Sequence, residues 1–133
     1  MAEHIINDFS LLPSWEEKYE HLISFGETLA DLAEKYKTEK YLIRGCQSKV
    51  WLVSEYKDDK LYFYGDSDAL ITRGLVALII QLYSGSSPKE INANKIDVFS
   101  KIGLHEHLSM TRSNGLKMML DTIKQCAIKY EKN

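Results

Sequence analysis

Cysteine, proline and histidine are scarce in this chain, and the scarcity excludes several classes of protein. The 133 residues include two cysteines, Cys46 and Cys126, with two prolines and four histidines. Two widely separated cysteines do not make the dense disulfide framework of a small secreted domain. They also fall short of the three or four ligands that zinc or an iron–sulfur cluster requires. We therefore expect free thiols, no metal site and a reducing, cytoplasmic setting.

Long apolar runs and an excess of positive charge are also missing. The longest aliphatic run, Leu75 to Ile80, is far shorter than the roughly 20 residues of a membrane span. The amino terminus has no basic segment followed by an apolar one, so no signal peptide is expected. With 17 basic and 19 acidic side chains the net charge is -2, which lacks the basic excess of a general nucleic-acid binder. We expect neither a membrane nor a nucleic acid as partner.

The first half of the chain predicts one long helix and then strands. No linker or repeat divides the sequence, and the 44% apolar content suits one domain over residues 1–133. Ser14 and Glu17 form a capping box, and the apolar spacing behind it predicts a helix from about Trp15 to Tyr36, with Gly26 as a point of interruption. Strand-forming residues then predict three antiparallel strands, over Tyr41–Ile43, Val50–Tyr56 and Lys60–Tyr64, with Lys57–Asp59 as a polar hairpin turn between the last two.

The second half predicts mainly helices. A helix from about Ala69 to Tyr83 is apolar almost all round, so we expect it to be buried. Ser67 or Asp68 is the expected cap of this helix, and Ser87 with Glu90 forms a second capping box. A last helix begins at Ser109 or Thr111, and its apolar face comprises Leu116, Met119, Leu120, Ile123, Ala127 and Tyr130. The order of elements indicates an α+β domain, in which helices pack on a small three-stranded antiparallel sheet.

Cys46 is the strongest candidate for chemistry. It lies in the predicted turn between the first two strands, and its neighbours are Arg44, Gly45, Gln47, Ser48, Lys49 and, in the next strand, Trp51. The cations favour the thiolate, which is the nucleophilic form of cysteine. Backbone N–H groups in such a turn could stabilise the same anion. The alternative is a buried structural cysteine, a common use of the residue, but a polar turn is a poor place for one.

The other candidate groups have simpler interpretations beside the functional ones. Cys126 lies at the edge of the apolar face of the last helix and is interpreted as a packing residue. Asp66 and Asp68 could act as a carboxylate pair, although helix capping is the simpler explanation. Arg73 interrupts an apolar helix, either with its stem buried and its charge at the surface or as a cation aimed at the sulfur site or at a partner. His105 and His107 are interpreted as part of a solvated loop.

Several blocks in the sequence together resemble the SufE/CsdE family of sulfur acceptors for cysteine desulfurases. The blocks occur in the order of the family, and they are Trp15–Tyr19, Gly45–Trp51, Gly65–Ala69, Arg73–Leu75 and Arg112–Leu116. The resemblance implies an α+β fold shared with IscU-type cluster scaffolds. Two departures are Arg73, where lysine is common, and Met110, where proline is frequent. Neither touches the sulfur chemistry directly.

The resemblance also implies a function. Cys46 would take a sulfane sulfur from the persulfide of a pyridoxal-phosphate desulfurase and deliver it to an iron–sulfur cluster assembly scaffold, which would enhance desulfurase turnover. The pyridoxal phosphate belongs to the partner, so no cofactor is expected here, and the chain acts as an accessory sulfur carrier. The cysteine loop would rest in an apolar cavity and swing out for transfer. A monomer or weak dimer is expected.

The supporting residues follow from the same hypothesis, as do its rivals. Arg44, Lys49 and Arg112 would favour the anion, whereas Asp66, Asp68 and Arg73 would shape the resting place of the loop or the docking face. One rival is a docking activator that stimulates the desulfurase without accepting sulfur. Another is a thiol redox regulator that uses both cysteines. A cluster scaffold ranks low because it needs more thiolates.

Overall fold

A computed structural model describes residues 11–12, 14–43, 48–93 and 110–131 of the chain, and for Trp15 and residues 110–114 it describes the backbone only. The elements, in chain order, are helix α1 (Trp15–Glu27), a short 3-10 helix (Glu34–Tyr36), strands β1 (Val50–Lys57) and β2 (Lys60–Ser67), and helices α2 (Leu70–Tyr83), α3 (Pro88–Ala93) and α4 (Met110–Glu131). The described elements therefore form an α+β domain. None of the described helices combines the length and the apolar character needed to cross a membrane.

The first helix is shorter than the sequence predicts. Ser14 caps it by accepting a hydrogen bond from the Glu17 N–H at 3.2 Å, as expected. The helix ends at Glu27 rather than continuing to Tyr36, and at this end the Thr28 hydroxyl donates to the Phe25 carbonyl at 2.7 Å. The chain is then irregular until the 3-10 helix. Gly26, the predicted point of interruption, lies one residue before this end.

The predicted hairpin is present, and the prediction of a third strand is wrong. β1 and β2 pair antiparallel, with Lys57 opposite Lys60. Asp58 and Asp59 both have positive φ, 53° and 63°, as a two-residue turn of type I′ requires. Within the described residues the sheet has these two strands, and the predicted strand Tyr41–Ile43 reduces to an isolated bridge between Leu42 and Trp51.

The core lies between one face of the hairpin and the helices. α2 is buried along Gly74–Ile79, as its apolar sequence predicts, and it packs on β2. Side chains from all layers meet in one cluster, which includes Leu22, Val50, Leu61, Phe63, Leu75, Leu78, Leu116, Met119 and Ile123. Full burial of each large aliphatic or aromatic side chain contributes roughly 1.5–3 kcal/mol. The predicted apolar face of α4 is confirmed by the burial of Leu116, Met119, Ile123 and Ala127.

α1 and α2 approach closely because α2 has a glycine where they touch. A Cβ at Gly74 would lie 2.2 Å from the Leu22 carbonyl oxygen, which is closer than any side chain permits. The contact places the end of α1 beside the first turns of α2. It thereby brings the chain after α1 next to Arg73.

The described caps agree with the sequence at α3 and differ at α2. Ser87 and Glu90 form the predicted reciprocal box, with both N–H to oxygen distances at 3.1 Å. At α2 no side chain caps the helix; the Ser67 hydroxyl accepts from the Ala69 N–H, one residue before the helix begins. The carboxylate of Asp68, the other predicted cap, points instead to Lys49.

Candidate functional site

Segment 44–47, which contains Cys46, lies outside the described residues, but both of its ends are described. On one side the Ile43 N–H donates to the Val50 carbonyl at 2.8 Å. The Leu52 N–H donates to the Tyr41 carbonyl at 3.0 Å, which adds a second bond between the same two stretches. Ile43 and Val50 are both buried, with 8% and 0% of their surfaces exposed. The chain therefore enters and leaves the cysteine segment from one fixed end of the sheet.

The return side of the segment is held by Lys49 and Asp68. The Lys49 N–H donates to Oδ1 of Asp68 at 3.0 Å, and the Asp68 N–H donates to the Lys49 carbonyl at 3.2 Å. One of the two bonds has an ionised acceptor, which makes it stronger than a neutral bond. The Lys49 side chain is exposed. The sequence predicts both residues as site residues, with Asp68 either as a helix cap or as a residue that shapes the resting place of the cysteine segment or the docking face.

Asp66 is a buried carboxylate held by two cations. Its side chain is 10% exposed, and Oδ1 accepts the Ser67 N–H at 2.8 Å. Oδ1 also lies 3.2 Å from Nε of Arg73, and Oδ2 lies 3.4 Å from Nζ of Lys37. Asp66 thus joins β2, α2 and the chain that follows the 3-10 helix. A buried carboxylate is tolerated because these partners replace the water that it loses.

Arg73 connects Asp66 to the end of α1. Its Nε forms an ion pair with Asp66, while Nη2 donates to the Leu29 carbonyl at 3.4 Å and lies 3.8 Å from Asp31. The side chain is 29% exposed, so its aliphatic stem is buried and its guanidinium group lies at the edge of the protein. The buried stem agrees with the first interpretation of Arg73 from the sequence, and the guanidinium group pairs with Asp66.

Lys37 is a member of this cluster that the sequence analysis missed. Partial burial by itself lowers its pKa, but the hydrogen bond to Asp66 and the attraction of Glu34 and Asp66 exceed that effect, so the pKa of Lys37 lies above its ordinary value of 10.5. The amino group also lies 5.9 Å from the ring centroid of Trp51. Lys37 follows the polar run Glu34–Tyr36, and its partner lies far along the chain, so no local pattern marks it.

Two cavities adjoin these residues. A groove of 810 Å³ runs between the chain after α1 and the hairpin, and its lining includes Leu29, Asp31, Tyr36, Val53, Tyr64 and Ile80. A smaller cavity of 270 Å³ lies between Ile43, β1 and α4, and its lining includes Leu52, Met118 and Gln125. The smaller cavity directly adjoins the residue from which the cysteine segment departs.

Five of the predicted site residues cannot be placed relative to the Asp66 carboxylate. Arg44, Gly45, Cys46 and Gln47 lie outside the described residues, and so does the side chain of Arg112. Ser48 is described and half-buried, directly after the segment. Within the described part of the chain, no group of three histidine, cysteine or acidic side chains is placed to hold a metal ion.

Cys126 lies on a different side of the sheet from the Asp66 cluster. Its thiol is half-buried and lies 3.6 Å from the Ser54 hydroxyl, and the residue packs against the core. Ser54 is opposite Phe63 in the hairpin, whereas Asp66 is opposite Trp51 on the other face. Its position on α4 agrees with a packing residue.

The chain is similar to known proteins over almost its whole length. The family description "SufE: Fe-S metabolism associated domain" matches residues 3–127. An uncharacterized SufE-like protein of Rhizobium etli is 44% identical over 128 residues, which cover 92% of this chain and 86% of the relative. An uncharacterized SufE-like protein of Rhizobium meliloti is 42% identical over 127 residues, which cover 92% and 91% of the two chains.

A solved structure supports the fold. The solution structure of a hypothetical protein from Thermus thermophilus superposes with a TM-score of 0.80 over 99% of this chain and 96% of the other, at 17% identity. At that identity the likeness concerns the fold alone. Together with the family match over residues 3–127, these findings establish that the chain belongs to the SufE family, whose domain is associated with iron–sulfur metabolism.

Proposed function

We propose that this protein accepts sulfur on Cys46 from the persulfide of a cysteine desulfurase and passes it to an iron–sulfur cluster assembly scaffold. The observation that carries the proposal is the SufE match over residues 3–127, which includes Cys46. The pyridoxal phosphate of the reaction belongs to the desulfurase. The protein acts as a carrier, and the catalytic turnover of cysteine belongs to its partner, the desulfurase.

The transfer step balances without an added oxidant or reductant. The Cys46 thiolate attacks the terminal sulfur of the donor Cys–S–SH, a new S–S bond forms at Cys46, and the donor S–S bond breaks. The donor cysteine leaves as a thiolate, and the terminal sulfur keeps its proton or loses it to water. The rate of such an exchange depends on the thiolate fraction of the attacking group and on the pKa of the leaving group.

The described residues support the proposal because they fix both ends of the cysteine segment. Ile43 and Val50 fix one side of the cysteine segment, and Lys49 and Asp68 fix the other. A reactive residue whose chain neighbours on both sides are held in place is presented reproducibly to a partner. The exposed Lys49 side chain also adds a positive charge three residues from Cys46, which favours an anionic sulfur.

The test is mass spectrometry of the intact protein after incubation with a cysteine desulfurase and cysteine. Wild-type protein should gain about 32 Da, the mass of one sulfur atom. Cys46→Ser should gain nothing, and the matched variant Cys126→Ser should behave as wild type. Absence of the adduct on wild-type protein, or an equal adduct on Cys46→Ser, would contradict sulfur acceptance at Cys46.

The same reaction distinguishes the two rival roles. A docking activator would stimulate cysteine turnover equally with Cys46→Ser in the presence of a reductant. A redox regulator that uses both thiols would lose activity with Cys126→Ser as well. Loss of stimulation with Cys46→Ser alone is the result that sulfur acceptance requires.

A further inference from the structure

Lys37 contacts both members of the residue pair next to the cysteine segment. Trp51 and Asp66 are opposite each other in the hairpin register, one step inside the pair Val50 and Ser67. The Lys37 amino group lies 3.4 Å from Oδ2 of Asp66 and 5.9 Å from the centroid of the Trp51 ring. One cation, which directly follows the 3-10 helix, thus contacts both strands where the sheet meets the segment.

The two residues it contacts lead directly to the ends of that segment. Trp51 forms the bridge to Leu42, and its neighbour Val50 accepts the bond from the Ile43 N–H. Asp66 is separated by one residue from Asp68, which holds Lys49. A shift of the pair Trp51 and Asp66 would therefore displace both anchor points together.

The ion pair of Lys37 is better shielded from water than an ordinary surface pair. The side chains of Lys37 and Asp66 are 26% and 10% exposed, whereas that of Glu34, the other carboxylate near Lys37, is 89% exposed. Partly buried pairs are screened by salt much less than exposed ones. Asp66 already has Arg73 as a counter-ion, so the charge of Asp66 is neutralised without Lys37. A second cation at this carboxylate calls for a role other than neutralisation.

We propose that Lys37 is a positioning residue for sulfur transfer, which acts through Asp66 and Trp51 to hold the strand ends that carry the cysteine segment. The proposal rests on the function proposed above. It is distinct from an electrostatic role at the sulfur, because the contacts of Lys37 are to the frame of the segment.

The test compares three variants of the full chain. Lys37→Met removes the charge and keeps an unbranched side chain, and Lys37→Arg keeps a cation. Lys35→Met is the matched control, because Lys35 is exposed, lies two residues earlier and has a similar position over a tyrosine ring, 5.0 Å from the centroid of Tyr36.

The first measurement is hydrogen exchange, which needs no desulfurase. In Lys37→Met the Ile43 N–H should exchange about fivefold faster than in wild type. This ratio of exchange rates corresponds to the upper end of the energies measured for exposed ion pairs. The Leu61 N–H, bonded to Ser86 at the other end of the sheet at 2.8 Å, should be unchanged. Equal acceleration at both positions would mean a general loss of stability and would overturn the proposal.

The second measurement is the rate of sulfur acceptance at Cys46 against desulfurase concentration. Lys37→Met should lower the maximal rate about fivefold with an unchanged half-saturating concentration, while Lys37→Arg and Lys35→Met stay within about twofold of wild type. A change in the half-saturating concentration alone would identify Lys37 as a docking contact and overturn the proposal, as would a maximal rate equal to wild type. If wild-type protein accepts no sulfur, the proposed function fails, whatever the exchange result.

Discussion

Lys49 and Asp68 are bonded to each other in both directions: each backbone N–H donates to an oxygen of the other residue, at 3.0 and 3.2 Å. Asp68 directly follows β2, and Lys49 directly precedes β1. The pair therefore closes the sheet end at which the cysteine segment returns. The sequence places the two residues 19 positions apart, and only the hairpin brings them together.

Replacement of Asp68 should loosen this end of the segment while leaving the domain folded. Asp68→Ala removes the charged acceptor of the Lys49 N–H, a bond that contributes about 1 kcal/mol at an exposed site. We expect the Lys49 amide to exchange with solvent about fivefold faster, because 1.4 kcal/mol corresponds to a tenfold ratio. Amide hydrogen exchange followed by NMR measures this. The Leu52 amide serves as the internal control, since its bond to Tyr41 does not involve Asp68.

Replacement of Asp66 should destabilise the whole domain. Asp66→Asn leaves the cations of Lys37 and Arg73 facing a neutral amide in a site that is 10% open to water. Removing one partner of a buried ion pair costs several kcal/mol, and the partial exposure of both cations reduces the expected loss to about 2 kcal/mol. Urea denaturation measures the free energy of unfolding. Asp31→Asn, which removes the fully exposed carboxylate at 3.8 Å from Arg73, should leave that free energy nearly unchanged.

The contact between α1 and α2 should not tolerate a side chain at Gly74. Gly74→Ala would place a methyl group 2.2 Å from the Leu22 carbonyl oxygen, and both helices would have to separate. We expect a loss of about 3 kcal/mol, at the upper end for overpacked sites. Gly26→Ala is the comparison, because its new methyl group would lie 3.1 Å from the Gly74 backbone nitrogen, and a small shift of the helices relieves that contact. Equal losses from the two variants, measured by thermal denaturation, would contradict the described helix contact.

The capping box of α3 should add to acid sensitivity. The bond from the Ser87 backbone N–H, together with that involving the Ser87 hydroxyl and the attraction of Lys60, lowers the pKa of Glu90 below its ordinary value of 4.5 in spite of partial desolvation. A lowered folded-state pKa stabilises the protein above the unfolded-state pKa, and the benefit is lost as the pH falls through the folded-state pKa.

Glu90→Gln should therefore lower the melting temperature relative to wild type near neutral pH, and the difference should shrink as the pH falls below about 4.5. Melting curves recorded from neutral pH into acid test this. Ser87→Ala removes the other half of the box, so the double variant should lose less than the sum of the single variants. A difference that is constant with pH would contradict the role of the Glu90 charge.

The parts of the fold that the sequence predicts correctly depend on neighbours a few residues apart. The Ser87–Glu90 box, the hairpin turn at Asp58 and Asp59 and the buried face of α2 each follow from a local pattern. Such patterns carry their own physical cause, because a cap, a turn or an amphipathic face is satisfied within one or two turns of chain. The assignment of Cys46 as the candidate nucleophile also rests on its immediate neighbours, and it stays a prediction.

The predictions that fail depend on distant contacts. The helix that was expected to reach Tyr36 ends at Glu27. The residues after it are positioned by Arg73, which donates to the Leu29 carbonyl. The expected third strand shrinks to the single bridge at Leu42. In both stretches the residues are compatible with a regular element, but the local propensity is weak and partners elsewhere in the chain determine the outcome.

The sequence by itself determined the α+β class, the identity of the reactive cysteine candidate and the blocks that resemble the SufE family. Those features are set by residue type and local order. The tertiary structure alone decided that Asp68 holds Lys49, that Asp66 lies between Arg73 and Lys37, and that Lys37 belongs to the site at all. The physical reason is that an ion pair or a hydrogen bond between distant residues depends on the distance between their atoms. The hairpin and the contact between α1 and α2 determine those distances.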